Sequence, residues 1–352
     1  MNRALLFLMT ASLFGLLVFL VLFAPQKTKP LISSPLTFRE PLTILAVGDI
    51  NLGRKSGEEI YKGNINFPFA NIADFLQTAD ITFGNLESQL RDTRIFQDPN
   101  NEYRFSGPLL GAQTLKEAGF DALSVANNHM WDYGQDGLNS TLTALQEQGL
   151  ATVGANQEID KQLEPQILEK NGWKVAFFAL TDFINGYEKV GAADYIAHIS
   201  ELDQLLARIG QVKEGVDLVI VSFHNGVEYS SKPSSRSVGI AHQLIEAGAD
   251  IIIGHHPHVV QPLEEYVSRE ENERTSERKG LIFYSLGNFA FWQPFSFWTK
   301  AGLAIRLTLS EPHEVHYELV PIDATWQPKV ALDLKVKEMI ENRVLGESYA
   351  RS

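Results

Sequence analysis

Three of the chain's nine histidines fall within four positions, in the run Gly254-His255-His256-Pro257-His258. Neutral imidazole is the commonest protein ligand for transition metals, so a cluster this dense points first to metal binding. His256 and His258 are two residues apart, which on an extended backbone turns both side chains the same way. Pro257 fixes one φ and biases His256 towards an extended shape. The competing reading of this segment alone is a solvated histidine turn. Just upstream, residues 249–253 are apolar and rich in β-branched types, the pattern of a short buried strand. Gly254 is expected to end that strand and let the chain turn. The imidazoles then stand at the carboxyl end of a strand, where open α/β sheets place their ligands.

Four further strand-like runs end in metal-ligand types. Residues 42–47 lead into Gly48-Asp49-Ile50-Asn51, and residues 80–83 into Gly84-Asn85-Leu86-Glu87. Residues 121–125 lead into Ala126-Asn127-Asn128-His129, with Asp132 three positions on. Residues 217–223 lead into His224-Asn225-Gly226-Val227-Glu228-Tyr229. Any one of these is compatible with an ordinary turn, because Asp, Asn and Gly favour turns. Together, Asp49 with Asn51, Glu87, Asn128 with His129, His224, and His256 with His258 point to one composite metal site. Strand ends scattered in sequence come together at one edge of an α/β sheet.

The elements between them fit that class. Helices are expected over 69–76, 109–118, 135–148, 199–212 and 237–247. Residues 166–180 read as a hairpin turning at Asn171-Gly172, and 181–195 as a loop over the site. After Pro262 the pattern becomes strands over 263–267, 280–285, 302–309 and 315–322, with a charged, exposed turn over 268–279. Leu286-Gly287-Asn288-Phe289 follows a strand and returns to the site side. The aromatic run from Phe289 to Trp298 reads as packing under the sheet, with a polymer groove or a membrane contact as the alternative.

Composition narrows the partners. The chain has 352 residues, 44% hydrophobic and 21% charged, which is globular and enough for one large or two ordinary domains. Its net charge of −13 disfavours nucleic acid as a partner. An anionic substrate would be repelled too, unless bound cations or a local basic patch reverse the field. The absence of cysteine excludes disulfides, thiolate metal sites and a cysteine-linked lipid anchor. Ligands of the remaining types suit Mn, Zn, Fe or Mg.

Residues 4–24 are apolar and uncharged, about the length that spans a bilayer core. Leu22-Phe23-Ala24 is a poor cleavage site, so residues 1–25 read as an uncleaved signal anchor, with a cleaved signal as the alternative. The globular part is then expected to be membrane-bound and outside the cytoplasm. Residues 26–41 are a proline-containing linker, residues 42–325 one domain, and residues 326–352 a C-terminal helix.

The ordered segments carry a specific resemblance. Asp-x-Asn, Asn-Leu-Glu, Asn-Asn-His-x-x-Asp-x-Gly, His-x-Gly-x-Glu-Tyr, Gly-x-His-Pro-His and Tyr-Ser-Leu-Gly-Asn-Phe follow one another between Gly48 and Phe289. In this order they resemble the CapA family of poly-γ-glutamate capsule synthesis proteins, whose fold is similar to the calcineurin-like metallophosphoesterases. The resemblance implies a four-layer β-sandwich flanked by helices, with two divalent metal ions at one sheet edge. It implies that Glu87 bridges the ions, that Asp49, Asn51 and His258 complete one site, and that Asn128, His224 and His256 complete the other. His129 would be the general acid, oriented by Asp132. Asn51 stands where phosphoesterases of this fold usually have His, Glu87 where they usually have Asp, and Asn225 where CapA relatives commonly have Trp.

Two ions ~3.5–4 Å apart stabilise the charge that builds up in amide and phosphoester cleavage alike, so the metal set alone does not choose between them. Tyr229, Lys232, Arg236 and Asn288 are candidate substrate-binding residues, the cations for an anionic group. His255 is expected beside the ligands rather than among them. The leading expectation is a membrane-anchored protein of synthesis, export or attachment of poly-γ-glutamate or a similar anionic polymer. It would work beside a ligase and membrane subunits of a capsule synthesis complex. The alternatives are an extracytoplasmic metallophosphatase and a non-catalytic scaffold of the same fold.

Overall fold

The computed structural model describes residues 39–185, 191–268 and 278–346. The expected membrane span over 4–24 lies outside them. Among the described residues no helix is long and apolar enough to cross a membrane.

In chain order the described strands are β1 (Leu42–Ile50), β2 (Ile81–Leu86), β3 (Gln89–Arg91), β4 (Ser106–Pro108), β5 (Ala122–Ser124), β6 (Ala151–Val153), β7 (Gln166–Lys170) and β8 (Trp173–Thr181). They continue with β9 (Leu218–His224), β10 (Ile251–His255), β11 (Leu263–Ser268), β12 (Arg278–Phe283), β13 (Asn288–Ala290), β14 (Ala301–Glu311), β15 (Glu314–Asp323) and β16 (Lys329–Val330). The α-helices are α1 (Arg54–Tyr61), α2 (Ala73–Leu76), α3 (Gly111–Ala118), α4 (Gly134–Glu147), α5 (Leu202–Val212), α6 (Ser235–Ala247) and α7 (Leu334–Leu345).

Two mixed sheets form the body. One runs β16-β15-β14-β1-β2-β5-β6, with β13 also paired to β1, and the other β11-β12-β10-β9-β8-β7. The centre of each is parallel: β1, β2, β5 and β6 in the first, β8, β9, β10 and β12 in the second. Parallel strands are covered on both faces, which explains their unbroken apolar runs. The sheets face each other, and Phe83 of β2 stacks on Phe177 of β8 with centroids 5.2 Å apart. Helices cover the outer faces, α4 on β6, α6 on β10 and β11, α7 on β14 and β15. The result is a four-layer mixed α/β sandwich. Because its central strands are parallel, their carboxyl ends gather at one rim, and the polar endings gather with them.

The hairpin at Asn171-Gly172 has φ of 53° and 78°, both positive as a type I′ turn requires. The expected helix over 69–76 is instead a 3₁₀ turn at Phe67–Phe69 followed by the single-turn α2. Helix α1 was not expected: it is short and charged, with Gly53 in place of a side-chain cap. The aromatic run divides, with Phe289 and Phe291 buried and Phe295 69% exposed. The end of the expected linker is tied down: Arg39 pairs with Asp217 at 2.7 Å, and Trp173 donates to the Glu40 carbonyl.

Gly254 does not end its strand. β10 runs through it to His255, and glycine is needed because a Cβ there would lie 1.9 Å from the Tyr284 carbonyl oxygen. Gly48 plays the same part in β1, where a Cβ would lie 2.0 Å from the Gly287 oxygen. Both glycines let the segment after β12 cross close behind the rim. Gly254→Ala is therefore expected to destabilise the fold by more than ~3 kcal/mol in denaturant unfolding. Gly239→Ala, in α6 with open space at its Cβ, is expected to be neutral or to stabilise by up to ~1 kcal/mol. Equal effects would refute the close-approach explanation.

Candidate metal centre

Glu87 stands at the middle of the rim. It follows β2, and its backbone N–H donates to the Ile50 carbonyl at 2.8 Å, which fixes it beside the end of β1. Its side chain is fully buried, and neither carboxylate oxygen has a hydrogen-bond partner among the described residues. Three imidazoles converge on Oε1: Nε2 of His258 at 3.7 Å, of His224 at 3.8 Å and of His129 at 3.9 Å. These separations are too long for hydrogen bonds and leave room for an ion between the groups. Ligand atoms of Glu87, His256 and His258 lie within 4.8 Å of one another, as do those of Asp49, Glu87 and His224. Glu87 belongs to both groups. An unpaired buried carboxylate is strongly unfavourable, whereas a divalent cation would satisfy it, so the donor set fits a metal.

Asp49 ties the two sheets together. Its Oδ1 accepts from Asn85 Nδ2 at 2.8 Å and from His255 Nδ1 at 3.2 Å. Its Oδ2 accepts from the His256 backbone N–H at 3.3 Å and lies 3.2 Å from His258 Nδ1. His258 Nδ1 also lies 3.0 Å from Asn288 Oδ1. With oxygen acceptors on that side, the proton sits on Nδ1 and the Nε2 lone pair faces Glu87. His224 Nε2 lies 2.8 Å from Asn128 Oδ1. Ligand atoms on one octahedral ion with bonds of ~2.1 Å lie about 3 Å apart, so this pair suits a shared ion as well as a hydrogen bond.

His256 and His258 do not lie on the extended backbone that their spacing and Pro257 suggest. Their φ values are +94° and +57°, in the left-handed half of the map. Such outliers persist only where the surroundings hold them, and they cluster at functional sites. Here the holding contacts are the His256 N–H on Asp49 and the Pro257 carbonyl, which accepts from Tyr229 N–H at 2.8 Å.

His129 faces the centre from the β5 side. Its Nδ1 lies 2.8 Å from Asp132 Oδ2, so Nδ1 carries the proton and Nε2 points towards Glu87. Asp132 is itself held by the Phe105 N–H at 2.7 Å, and the Phe105 ring packs 4.0 Å from the imidazole.

Burial drives the electrostatics. It raises the Glu87 carboxyl well above its ordinary range, helped by Asp49, Glu228 and Asp132. Burial also opposes ionisation of Asp49, but hydrogen bonds from His255 and His258 outweigh it and hold that carboxyl well below its usual value. His224 is pushed well down by burial and by His256, and His256 falls to about 3 through burial and His258. Both imidazoles are therefore neutral and ready to ligate.

The remaining expected residues are less uniform. Asn51 is buried, and its Oδ1 accepts from the Gly53 N–H at 2.8 Å, which leaves that oxygen a second lone pair for an ion. Asn288 is fully buried behind His258, and its Nδ2 donates to Gln293 Oε1 and the Thr299 carbonyl, so it orients an imidazole instead of facing substrate. Tyr229 is at the mouth, its ring 6.2 Å from that of His258, with its phenol pushed up to about 12 by burial and Glu228. Arg236, at the start of α6, pairs with Asp182 at 2.8 Å, and Lys232 is exposed on the loop before it. Sequence reasoning missed Asn85, Asn127, Phe183, Asn185 and Arg54. Asn127 donates to Asn85 Oδ1 at 3.1 Å, extending the Asp49 network. Phe183 packs edge-on against His256 at 4.4 Å, and Asn185 Nδ2 reaches Asp132 Oδ1 at 3.3 Å. The expected loop over the site does supply these last two contacts.

A pH response follows from the shifted groups. The unfolded chain protonates His224 and His256 near 6.5, whereas the fold keeps them neutral to lower pH. Stability is thus lost as pH falls below 6.5. Glu87 acts in the opposite sense above 4.5, where the unfolded chain ionises and the fold resists. With chelator present, one net proton remains between 4.5 and 6.5. Unfolding free energy should then drop by on the order of 1 kcal/mol per pH unit on acidification through that window. A flat denaturation profile there would refute the assignment of buried neutral histidines.

Comparison with known proteins gives the family. The family model described as bacterial capsule synthesis protein PGA_cap matches residues 43–293. The capsule biosynthesis protein CapA of Bacillus anthracis is 34% identical over 292 residues, covering 81% of this chain and 68% of that protein. The PGA biosynthesis protein CapA of Bacillus subtilis (strain 168) is 29% identical over 310 residues, covering 86% and 78% respectively. Among solved structures, a 5'-nucleotidase precursor from Thermus thermophilus aligns with a TM-score of 0.46 at 14% identity, over 86% of this chain and 58% of that one. On the match across residues 43–293 and the relatedness to CapA, the chain belongs to the PGA_cap family of bacterial capsule synthesis proteins.

Proposed function

We propose that this protein acts on poly-γ-glutamate, or a similar anionic capsule polymer, through a two-metal centre at the common rim of its sheets. The observation that supports this most is Glu87, fully buried, unpaired at both oxygens and ringed by three imidazoles, in a chain related to capsule and poly-γ-glutamate biosynthesis proteins. The residues that would hold the ions are Glu87, common to both groups, with His256 and His258 in one, Asp49 and His224 in the other, and Asn128 beside His224. Asn51, whose Oδ1 keeps a second lone pair beside the Gly53 N–H, would add a neutral donor on the Asp49 side. When bound, divalent cations would supply Lewis acidity for cleavage or transfer at an acyl or phosphoryl centre.

The chain's own residues do the remaining work. Asp132 holds the His129 Nδ1 proton and leaves Nε2 to give or take a proton at the leaving group. Phe105 fixes the plane of that ring. Asn288 keeps the His258 lone pair aimed inward. Tyr229, protonated across the physiological range, offers a donor at the mouth. The apolar segment over 4–24 would anchor the protein to the membrane, with the domain outside the cytoplasm beside a ligase and membrane subunits.

Metal analysis of the full chain, with activity on γ-glutamyl oligomers and on a generic phosphoester, tests this reading. About two divalent ions per chain are expected, and Glu87→Gln should lose both. His129→Ala should keep its metal and lose activity by on the order of 10²–10⁴. Phosphoester turnover without any action on γ-glutamyl oligomers would replace this reading with a metallophosphatase. A wild-type chain that binds no metal would sink both.

A further inference from the structure

Arg54 stands beside the centre, and no step above uses it. Its guanidinium carbon lies 4.9 Å from the ring centre of Phe105 and 5.8 Å from that of Phe291. Phe105 packs on His129, and Phe291 meets His258 edge-on at 5.1 Å. The cation is therefore one aromatic ring away from the expected acid on one side and from a candidate metal ligand on the other.

Three features show that Arg54 is held in place without being neutralised. Its backbone has φ +51°, in the left-handed region that a long side chain rarely adopts. Its N–H donates to the Phe96 carbonyl at 2.6 Å and its Nη2 to the Glu102 carbonyl at 3.2 Å, so backbone groups fix both ends of the residue. Its Nε is buried with no partner, and Glu102, the carboxylate whose charge acts on it, gives it a hydrogen bond only through the backbone carbonyl. A guanidinium remains charged in proteins, and burial raises the cost of leaving its donors unpaired. Of the two cations expected from the sequence to meet an anion, Arg236 is paired with Asp182, and Lys232 is exposed on the preceding loop.

The surrounding charge gives this cation a purpose. Asp49, Glu87, Asp132 and Glu228 all act on the same pocket, and the whole chain carries −13. An anionic substrate needs a fixed positive group there besides any metal. We propose that Arg54 binds a carboxylate or phosphate flanking the reacting bond and so positions an anionic substrate at the rim. The planar guanidinium suits both groups through paired N–H donors. The inference rests on the metal-centre reading for the place of the reacting bond. In a γ-glutamyl chain the flanking group is the α-carboxylate next to each amide nitrogen.

Calorimetric binding to the metal-loaded full chain tests the proposal, using a γ-glutamyl oligomer and its α-carboxamide counterpart. Wild type should prefer the carboxylate form by at least about tenfold. Arg54→Gln should lose that preference with metal content unchanged, and Arg54→Lys should keep part of it. Unchanged preference in a folded, metal-loaded Arg54→Gln would overturn the proposal. Should Arg54→Gln fail to fold, Arg54→Lys decides: a reduced preference supports the guanidinium's role, and a wild-type preference overturns it. If wild type binds neither oligomer but takes inorganic phosphate, the polymer reading falls, and the same variants are read on phosphate, where weaker binding supports Arg54 and equal binding overturns it. A wild type that binds none of these probes overturns the proposal.

Discussion

A carboxylate removed from water stays ionised only beside compensating charge, and among the described residues no lysine or arginine supplies it to Glu87. Glu87 has three imidazole nitrogens just beyond hydrogen-bond reach and a neighbouring carboxylate, Asp49, that is held ionised. Everything else at the rim serves that arrangement. Parallel strands bring their carboxyl ends together, and close-approach glycines let the backbone pass behind them. Polar side chains further out fix which nitrogen of each ring is presented.

The division of labour among the histidines illustrates this. His255, His256 and His258 are nearly adjacent, yet they do different things. His255 belongs to β10 and is spent on Asp49. His258 is turned by Asn288 and Asp49 so that its far nitrogen is offered inward. His256 uses its backbone on Asp49 and its ring against Phe183 and His224. Left-handed backbone at His256 and His258 is what lets neighbours in sequence face so differently.

Much of this was legible in the chain itself. Apolar runs ending in Asp, Glu, Asn or His marked the parallel strands and their shared edge, because a strand covered on both faces leaves polar residues only at its end. The Asn171-Gly172 turn was legible because only a few residue types accept two successive positive φ values. The conformation of His256 and His258 was not, since it is imposed by Asp49 on another sheet, some two hundred residues away. Asn288 was misread as facing substrate because sequence does not say on which side of an imidazole a neighbour will stand. Arg54 was missed because a basic residue opening a short charged helix looks like ordinary surface until Phe105 and Phe291 are seen beneath it.

Asp49 has one more consequence. It is a residue of the first sheet, and the groups it binds through His255, His256 and His258 follow from the second. The seam between the sheets is thus stitched by the same carboxylate that supports the ligand cage. Any parting of the two layers at this edge would dismantle the cage before it widened the pocket. Whatever reaches the cage would therefore have to pass the loops above the rim that carry Phe183 and Tyr229, with the sandwich beneath left shut.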